Sequence, residues 1–92
     1  MKIQWSKLSL QDRNGILDYL ADKNPRAAVD LDLRIEKAVE DLLEDHPNAG
    51  KTGRVDGTRE FFIPNTTYVV VYQVSQSSIR ILRVLHTSMM WP

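Results

Sequence analysis

The chain has 92 residues, with 12 basic and 12 acidic side chains, 42% hydrophobic residues and no cysteine. This length indicates one domain, residues 1–92, and the lack of cysteine excludes disulfides, thiolate metal sites and cysteine catalysis. Because the two histidines lie forty positions apart and no apolar run could span a bilayer, we expect no metal, no other cofactor, no membrane association and a cytoplasmic location.

The start of the chain predicts a strand followed by a helix. Residues 1–5 alternate apolar and polar side chains, which is typical of a strand. Ser9 stands three residues before Asp12, a capping arrangement that predicts a helix from Ser9 to Asn24. Gly15 inside this helix costs about 1 kcal/mol relative to alanine, so we expect it to mark a close approach by another helix.

A second helix is predicted from Pro25 to Asp45. Asn24 is a good cap, and proline at the first helical position loses no needed hydrogen bond. Apolar residues recur at spacings of three and four, namely Ala28, Leu31, Ile35, Val39 and Leu42. This helix therefore has one buried face, and its other side carries the charged residues typical of a solvated surface.

The rest of the chain predicts a small sheet. After an irregular loop of residues 46–58, β-rich runs occupy 59–63, 68–74 and 79–86, and the short turns between them favour an antiparallel meander. The element order β-α-α-β-β-β predicts an α+β fold, in which a two-helix hairpin packs on one face of a small twisted antiparallel sheet. The opposite face of the sheet is expected to stay open.

Charge is divided unevenly along the chain. Residues 1–48 carry seven basic and ten acidic side chains, whereas residues 49–92 carry five basic and two acidic ones. The halves therefore have net charges of −3 and +3. This asymmetry suggests that one surface serves an anionic partner.

The candidate functional residues lie in the positive half. An arginine fork donates bidentate hydrogen bonds to a phosphate. The candidates for binding a phosphate or a target are Arg54, Arg59, Arg80 and Arg83. His86 can take or give a proton near neutral pH, as RNA cleavage requires. The alternatives are that Arg54 and Arg59 pair with Asp56 or Glu60, and that His86 is structural.

The sequence leaves open which sheet face carries these groups. Alternate residues of a strand share a face, which groups Arg80 with His86 and puts Arg83 on the other side. A bulge near Arg83 would change this grouping. Tyr68 and Tyr72 share a face, and core packing is their expected role.

The chain ends with the large apolar residues Met89, Met90 and Trp91. They could fold onto the core as a tail, or they could present an apolar surface to a partner protein. Both alternatives are compatible with the sequence.

The element order and three segments resemble the RelE/ParE superfamily of bacterial toxins from toxin-antitoxin modules. The segments are "DHPNAGKTGRVDGTRE" between helix and sheet, "YVVVYQV" in the middle strand and "ILRVLHTSM" in the last strand. The resemblance spans nearly the whole chain and implies the fold described above. It also implies growth arrest, plasmid stabilisation, and a cognate antitoxin that wraps the toxin and can form higher-order oligomers with it.

Two modes of action are implied by the resemblance. Members similar to RelE cut mRNA in the ribosome, and this would give catalytic roles to His86, Arg59 and Arg83. Members similar to ParE poison DNA gyrase. Trp91 falls where a RelE-like tyrosine is common and has no titratable proton, and "RVLHTSM" is closer to ParE ends.

The favoured hypothesis is therefore a ParE-like toxin that inhibits DNA gyrase by binding, with Met89, Met90 and Trp91 contacting a partner. One alternative is a RelE-like ribosome-dependent mRNA endonuclease. The other is an inactive relic that only forms a complex with its antitoxin.

Overall fold

Two helices and five strands are found in the part of the chain that the structure describes. The structure is a computed structural model that describes residues 2–89 and 91–92, and for 42–44 it describes only the backbone. The order is β1 (Lys2–Trp5), α1 (Lys7–Ala21), α2 (Pro25–Asp45), β2 (Lys51–Thr52), β3 (Arg59–Phe62), β4 (Tyr68–Val74) and β5 (Ser78–His86). Met90, a predicted partner-binding residue, lies outside the described residues. Among the residues described, no helix has the length and apolar character needed to cross a membrane.

Helix α1 begins earlier than predicted. Ser6 caps it by accepting a 3.0 Å hydrogen bond from the Ser9 N–H. Ser9 is buried, and its hydroxyl donates to the Ser6 carbonyl at 2.8 Å. The prediction of a cap at Ser9 is wrong because Asp12, the acidic member of the predicted pair, binds Arg83 and the backbone of β5 instead.

Helix α2 has the predicted bounds and packs beside α1. Arg13 of α1 donates to Asp32 and Glu36 of α2 at 3.0 Å, and its guanidinium lies 4.6 Å from the centre of the Trp5 ring. Burial alone would lower the pKa of Arg13, but hydrogen bonds to the two carboxylates outweigh it and raise the pKa above its ordinary value. Arg13 therefore joins both helices to β1.

Gly15 lies on a different side of α1 from Arg13. It is exposed, and a Cβ added there would meet no atom within 4 Å. The expectation of a close approach by another helix is wrong within this chain, because α2 packs against the side of α1 that carries Arg13.

The five strands form one mixed sheet in the order β1-β5-β4-β3-β2. The antiparallel meander is confirmed for β3, β4 and β5, whereas β1 pairs in parallel with β5, with Ile3 opposite Ile79. Strand β2, inside the segment predicted as a loop, adds a short edge with Lys51 opposite Glu60. The predicted α+β fold, with a helix hairpin packed on a sheet, is confirmed.

The main core lies between the helices and the sheet. Ile35 and Val39 of α2 are buried there against residues of the sheet and of the turn after β3, namely Ile63, Val70, Tyr72, Ile79, Ile81 and Val84. A second cluster lies on the opposite face and consists of Val69, Val71 and Leu85, with Leu82 and Trp91 packed on it. The face that was expected to stay open is therefore partly covered by the C-terminal tail.

Candidate functional site

The sheet face opposite the helices, which we call the open face, carries most of the candidate cations. The strand register aligns its residues in rows. One row contains Gln4, Arg80 and Gln73, the next contains Arg83, Val71, Glu60 and Lys51, and the last contains Leu85, Val69 and Phe62. Arg54 reaches this face through its bonds to Glu60. Three of the four predicted arginines therefore share the open face, and Arg59 does not.

A bulge in β5 controls the direction of its side chains. Val71 of β4 pairs with Arg83, but the next residue, Tyr72, pairs with Ile81. Leu82 is therefore an extra residue on β5. An extra residue of this kind shifts the alternation of side chains by one position along the strand.

The bulge regroups the three charged or titratable residues of β5. Arg83 lies on the open face with Arg80, while His86 faces the helices and pairs opposite Tyr68. The grouping of Arg80 with His86 is therefore wrong, and the alternative with a bulge near Arg83 is the arrangement found. The alternation of residues along the strand could not show this grouping, since no residue pattern in β5 marks the bulge.

Arg83 is held by a carboxylate from α1. Its Nε and Nη2 atoms donate to Asp12 at 2.8 and 3.0 Å, and Asp12 also accepts a 2.9 Å hydrogen bond from the Val84 N–H. The hydrogen bond to Asp12 raises the pKa of Arg83 and outweighs the opposing effect of burial. The charge of Arg83 is therefore largely neutralised, which limits its capacity to bind a phosphate.

Arg54 is held in the same way by Glu60. The Glu60 carboxylate accepts from Nε and Nη2 of Arg54 at 3.2 Å and from its backbone N–H at 2.8 Å. The Glu60 side chain is 1% exposed and the Arg54 side chain is 48% exposed. Burial would raise the pKa of Glu60, but the bonds from Arg54 outweigh it and lower the pKa below its usual value. The alternative in which Arg54 pairs with Glu60 is therefore the one found.

The Glu60 carboxylate should make stability depend on acid pH. Its pKa is lowered in the folded state, so the unfolded chain takes up the proton first as the pH falls below about 4.3. The stabilisation is complete above that pH and is lost as the pH falls through the folded-state pKa. We expect Glu60→Gln to lower the free energy of unfolding by about 1 to 2 kcal/mol at pH 7, a modest loss because half-exposed Arg54 can rehydrate. The variant should also show a weaker dependence of the free energy of unfolding on pH in the acid range. Urea unfolding between pH 3 and 7 measures the free energy of unfolding of both proteins. The same loss of stability on acidification in Glu60→Gln as in the wild type would contradict the prediction.

Two open-face cations form no ion pair with any described side chain. Arg80 is exposed and lies between Gln4 and Gln73, and Lys51 places its ammonium 4.7 Å from the centre of the Phe62 ring. The ion pairs among the described side chains involve neither Arg80 nor Lys51. Arg80 and Lys51 are therefore the groups of the open face best placed to contact an anionic partner.

The C-terminal tail covers the centre of the open face. Trp91 packs on Val69, Val71 and Leu85, which are at most 2% exposed, and the Arg83 guanidinium lies 6.0 Å from the centre of its ring. Its indole Nε1 is buried without a hydrogen-bond partner among the described residues. Of the two alternatives for the tail, Trp91 follows the first and folds onto the sheet, whereas Met89 is 50% exposed.

The remaining two candidates face the helix side of the sheet. Arg59 donates to the carbonyls of Asn48 and Gly50 at 3.3 and 2.7 Å. His86 contacts the Ser88 hydroxyl through Nδ1 at 2.6 Å and packs edge-on against Tyr68. Arg59 and His86 therefore lie on the helix side, whereas Arg83, the third catalytic candidate, lies on the opposite face.

Tyr72 is a structural residue, as expected. It is fully buried, accepts a 2.8 Å hydrogen bond from the Gly50 N–H, and donates one of 2.9 Å to the Pro47 carbonyl. A Cβ at Gly50 would lie 2.6 Å from the Tyr72 hydroxyl oxygen, so only glycine allows this approach. Burial raises the pKa of Tyr72, which keeps the phenol neutral.

The same pair of helices on a mixed sheet occurs in solved toxin-antitoxin structures. A chain of the chromosomal ParDE system from P. aeruginosa superposes with a TM-score of 0.85, covering 94% of this chain and 95% of that one at 23% identity. A chain of the RelBE2 complex from Mycobacterium tuberculosis superposes with a TM-score of 0.61, covering 92% and 95% at 22% identity. The fold is therefore that of the ParE and RelE class of toxins.

Sequence comparisons identify the family. The family described as the ParE toxin of the type II toxin-antitoxin system parDE matches residues 3–91. The toxin candidate Y4kP of Sinorhizobium fredii is 33% identical over 91 residues, covering 99% of this chain and 93% of that protein. Toxin RelE1 of Caulobacter vibrioides is 35% identical over 80 residues, covering 83% and 82%. The chain belongs to the ParE toxin family of type II toxin-antitoxin systems, and the resemblance to the RelE/ParE superfamily is confirmed.

Proposed function

We propose that this toxin arrests growth by binding DNA gyrase and that it cuts no RNA. The observation that carries the proposal is the separation of the residues that cleavage would need. Arg59 pairs opposite Tyr72 and His86 pairs opposite Tyr68, near the two ends of β4. Four residues of a strand span about 13 Å, whereas both groups would have to come within hydrogen-bond distance, roughly 3 Å, of the same reacting phosphate.

The other two positions of a RelE-like site also favour binding over catalysis. Arg83 is engaged by Asp12 through two hydrogen bonds, so its fork is not available for a transferring phosphate. Trp91 stands where RelE-like toxins often have a tyrosine, and its indole can only donate a hydrogen bond or stack. It packs on the sheet with its N–H buried.

The open face is suited to binding a protein. Arg80 and Lys51 supply positive charge, and the partly exposed ring of Trp91 supplies apolar surface on the same face, a combination typical of an interface with an apolar centre and a polar rim. Phe62, which pairs opposite Val69, adds an exposed apolar side chain to this face. A target surface with acidic and apolar groups would complement this combination.

A cognate antitoxin is the second proposed partner. The solved structures with this fold come from systems that contain both toxin and antitoxin, and the chain belongs to the toxin family of such a system. We propose that the antitoxin neutralises this toxin by forming a complex with it.

Ribosome-dependent mRNA cleavage is the second candidate function. Two relatives in Caulobacter vibrioides are named toxins RelE1 and RelE2, at 35% and 28% identity.

Regulated expression followed by pulse labelling separates the candidates, because a gyrase inhibitor stops DNA synthesis first and an mRNA endonuclease stops protein synthesis first. Purified gyrase that keeps its supercoiling activity with micromolar toxin would exclude gyrase as the target. Expression of an inactive relic, which only forms a complex with its antitoxin, would leave growth unchanged.

His86→Ala is expected to leave growth arrest within about twofold of wild type, since the ring packs on the helix side, where it contacts Ser88 and Tyr68. If His86 were a general acid or base, the substitution would instead lower the toxic activity roughly 100-fold or more. Colony counts after induction measure the effect. Arg80→Glu, which reverses a charge on the open face, should weaken arrest and serves as the comparison. Loss of toxicity in His86→Ala with an unchanged melting temperature would support the endonuclease.

A further inference from the structure

The side of α1 that points away from the sheet is partly apolar. Arg13 faces α2 and Asp12 faces β5, which together fix the orientation of the helix about its axis. At about 100° per residue, Leu10 and Leu17 lie within about 60° of Arg13, on the side away from β5. Leu10 is exposed and Leu17 is partly exposed. These two leucines therefore form an outer surface of α1 beside its contact with α2.

Helix α2 continues this apolar surface. Its Ile35 points into the core, and its Asp32 and Glu36 face α1. Val29 and Leu33 lie further round α2 in the direction from the core past α1, so they point away from the sheet. Both are exposed. The surface that we call the outer helix face consists of Leu10, Leu17, Val29 and Leu33.

The leucines of the outer helix face are arranged about a common level. Arg13 contacts α2 one residue before and three residues after Leu33, so Leu33 lies level with the middle of α1. Leu10 and Leu17 lie on either side of this level, each at about 5 Å. A two-fold axis at this level, perpendicular to the helices and in the plane of the face, sets Leu10 against Leu17 of a second copy. The same axis sets Leu33 against its own equivalent.

The charges at the two ends of α2 have the same symmetry. Arg26 stands seven residues before Leu33, and Glu40 stands seven residues after it, so the three lie on one side of the helix. Arg26 and Glu40 are exposed and form no ion pair with any described side chain. An antiparallel α2 centred on Leu33 brings Arg26 of each copy level with Glu40 of the other. The outer helix face is therefore complementary to itself in charge as well as in apolar groups.

The size of the outer helix face predicts a weak and reversible contact. Two helices of about 15 residues, about 10 Å apart, present a face of roughly 22 by 20 Å, so two copies bury roughly 900 Å² together. Stable interfaces bury about 1,200 to 2,000 Å². The contact therefore forms at high local concentration and dissociates on dilution.

We propose that the outer helix face is a self-association surface, on which two copies of the toxin pack as antiparallel hairpins about a two-fold axis at Leu33. The occupant is a second copy because a two-fold contact requires one surface to be complementary to itself. The sheet lies on the other side of the hairpin, so both copies keep the open face exposed. The dimer thus presents two open faces at once, and its formation does not depend on which target they bind.

Sedimentation equilibrium of the purified toxin, up to millimolar concentration, tests the proposal. The wild type should show a monomer–dimer equilibrium. Leu33→Asp should weaken the dimer about tenfold or more, because each dimer then sets two carboxylates against each other at the axis. The matched control is Leu8→Asp, since Leu8 is 53% exposed, compared with 57% for Leu33. Leu8 lies four residues before Asp12, on the β5 side of α1, so its substitution should change the dissociation constant less than about twofold.

Charge reversal tests the antiparallel arrangement by itself. Arg26→Glu and Glu40→Arg should each weaken the dimer about tenfold, since each homodimer then contains two repulsive pairs. An equimolar mixture of the two variants should regain association, because the mixed dimer restores both attractive pairs. A parallel arrangement, with α1 on α2, would give no such recovery.

Three results would each overturn the proposal: a wild type that stays monomeric at millimolar concentration, a dimer that Leu33→Asp leaves intact, and a mixture of the charge variants that associates no better than either alone. Thermal melting followed by circular dichroism should show the wild-type fold in all four variants. Because no measurement uses toxicity, failure of the proposed target would leave these results unchanged.

Discussion

Asp12→Ala should lower the free energy of unfolding by about 3 kcal/mol, which is a large fraction of the roughly 5 to 15 kcal/mol that stabilises a native domain. The Asp12 side chain is 15% exposed and that of Arg83 is 26% exposed. The substitution removes both bonds to the Arg83 fork and the bond to the Val84 N–H. It leaves a partly buried guanidinium and a backbone donor without partners, and each such loss costs about 1 to 3 kcal/mol.

The position of Asp12 explains why its loss should affect the whole fold. Strand β1 pairs with β5 only as far as Ile81, so the edge of β5 beyond that residue has no strand beside it. Asp12 supplies the acceptor for this edge at Val84 and at the same time joins α1 to the sheet.

Asp18→Ala is the control, since Asp18 is an exposed acid on the same helix, and it should change stability by less than about 0.5 kcal/mol. Asp12→Asn should fall between the two, because the amide oxygen can still accept from Val84. Urea denaturation followed by circular dichroism gives the three values. A cost below about 1 kcal/mol for Asp12→Ala would show that the edge of β5 is held by other contacts.

The sequence predicted the elements whose residues follow a regular period. The apolar repeat of α2 indicated the helix, the cap at Asn24-Pro25 and the break at His46-Pro47 gave its bounds, and the run "YVVVYQV" gave those of β4. In both elements the conformation that the local sequence favours also buries the apolar side chains. The layer arrangement then followed from the order of the elements, since a helix pair with one apolar side must pack on the apolar side of a sheet.

Long-range pairing was not predictable, because it depends on contacts between distant segments. Ser9 with Asp12 is a better capping sequence than Ser6 with Ser9, yet Asp12 stabilises the fold more through Arg83, 71 positions away. The parallel pairing of β1 with β5 is likewise invisible to local patterns. Only Glu60, six residues from Arg54, offered a local sign that an arginine is engaged by a carboxylate.

The sequence offered candidate cations but not their arrangement. Which sheet face carries Arg83 was left open, and in the structure Arg54, Arg80 and Arg83 share the open face. One extra residue at Leu82 places Arg83 on the same face as Arg80 and separates His86 from Arg80. Since a bulge is set by how two strands fit together, the alternation of a single strand could not locate it. Their roles in target binding stay a prediction.

Trp91→Ala should cost about 2 to 3 kcal/mol, although Trp91 is the residue before the last of the sequence. Truncation of a tryptophan in a core costs about 3 to 5 kcal/mol, and the value is lower here because the ring is partly exposed. The substitution uncovers Val69, Val71 and Leu85 on the open face. Trp91→Phe should cost less than about 1 kcal/mol, because it keeps an aromatic ring at this position and removes an N–H that has no partner among the described residues. Met89→Ala, at a side chain that is 50% exposed, is the control and should cost less than about 0.5 kcal/mol.

The same three variants separate the cover role of Trp91 from direct recognition of a target. If the ring acts only by covering the apolar cluster, Trp91→Phe should arrest growth like wild type, while Trp91→Ala should lose activity in proportion to its unfolded fraction and regain it at lower temperature. Urea denaturation followed by circular dichroism, together with colony counts at 25 and 37 °C, measures both properties. Wild-type stability in Trp91→Ala would show that the tail does not pack on the sheet. Loss of arrest in a stable Trp91→Phe variant would instead assign the indole to target recognition.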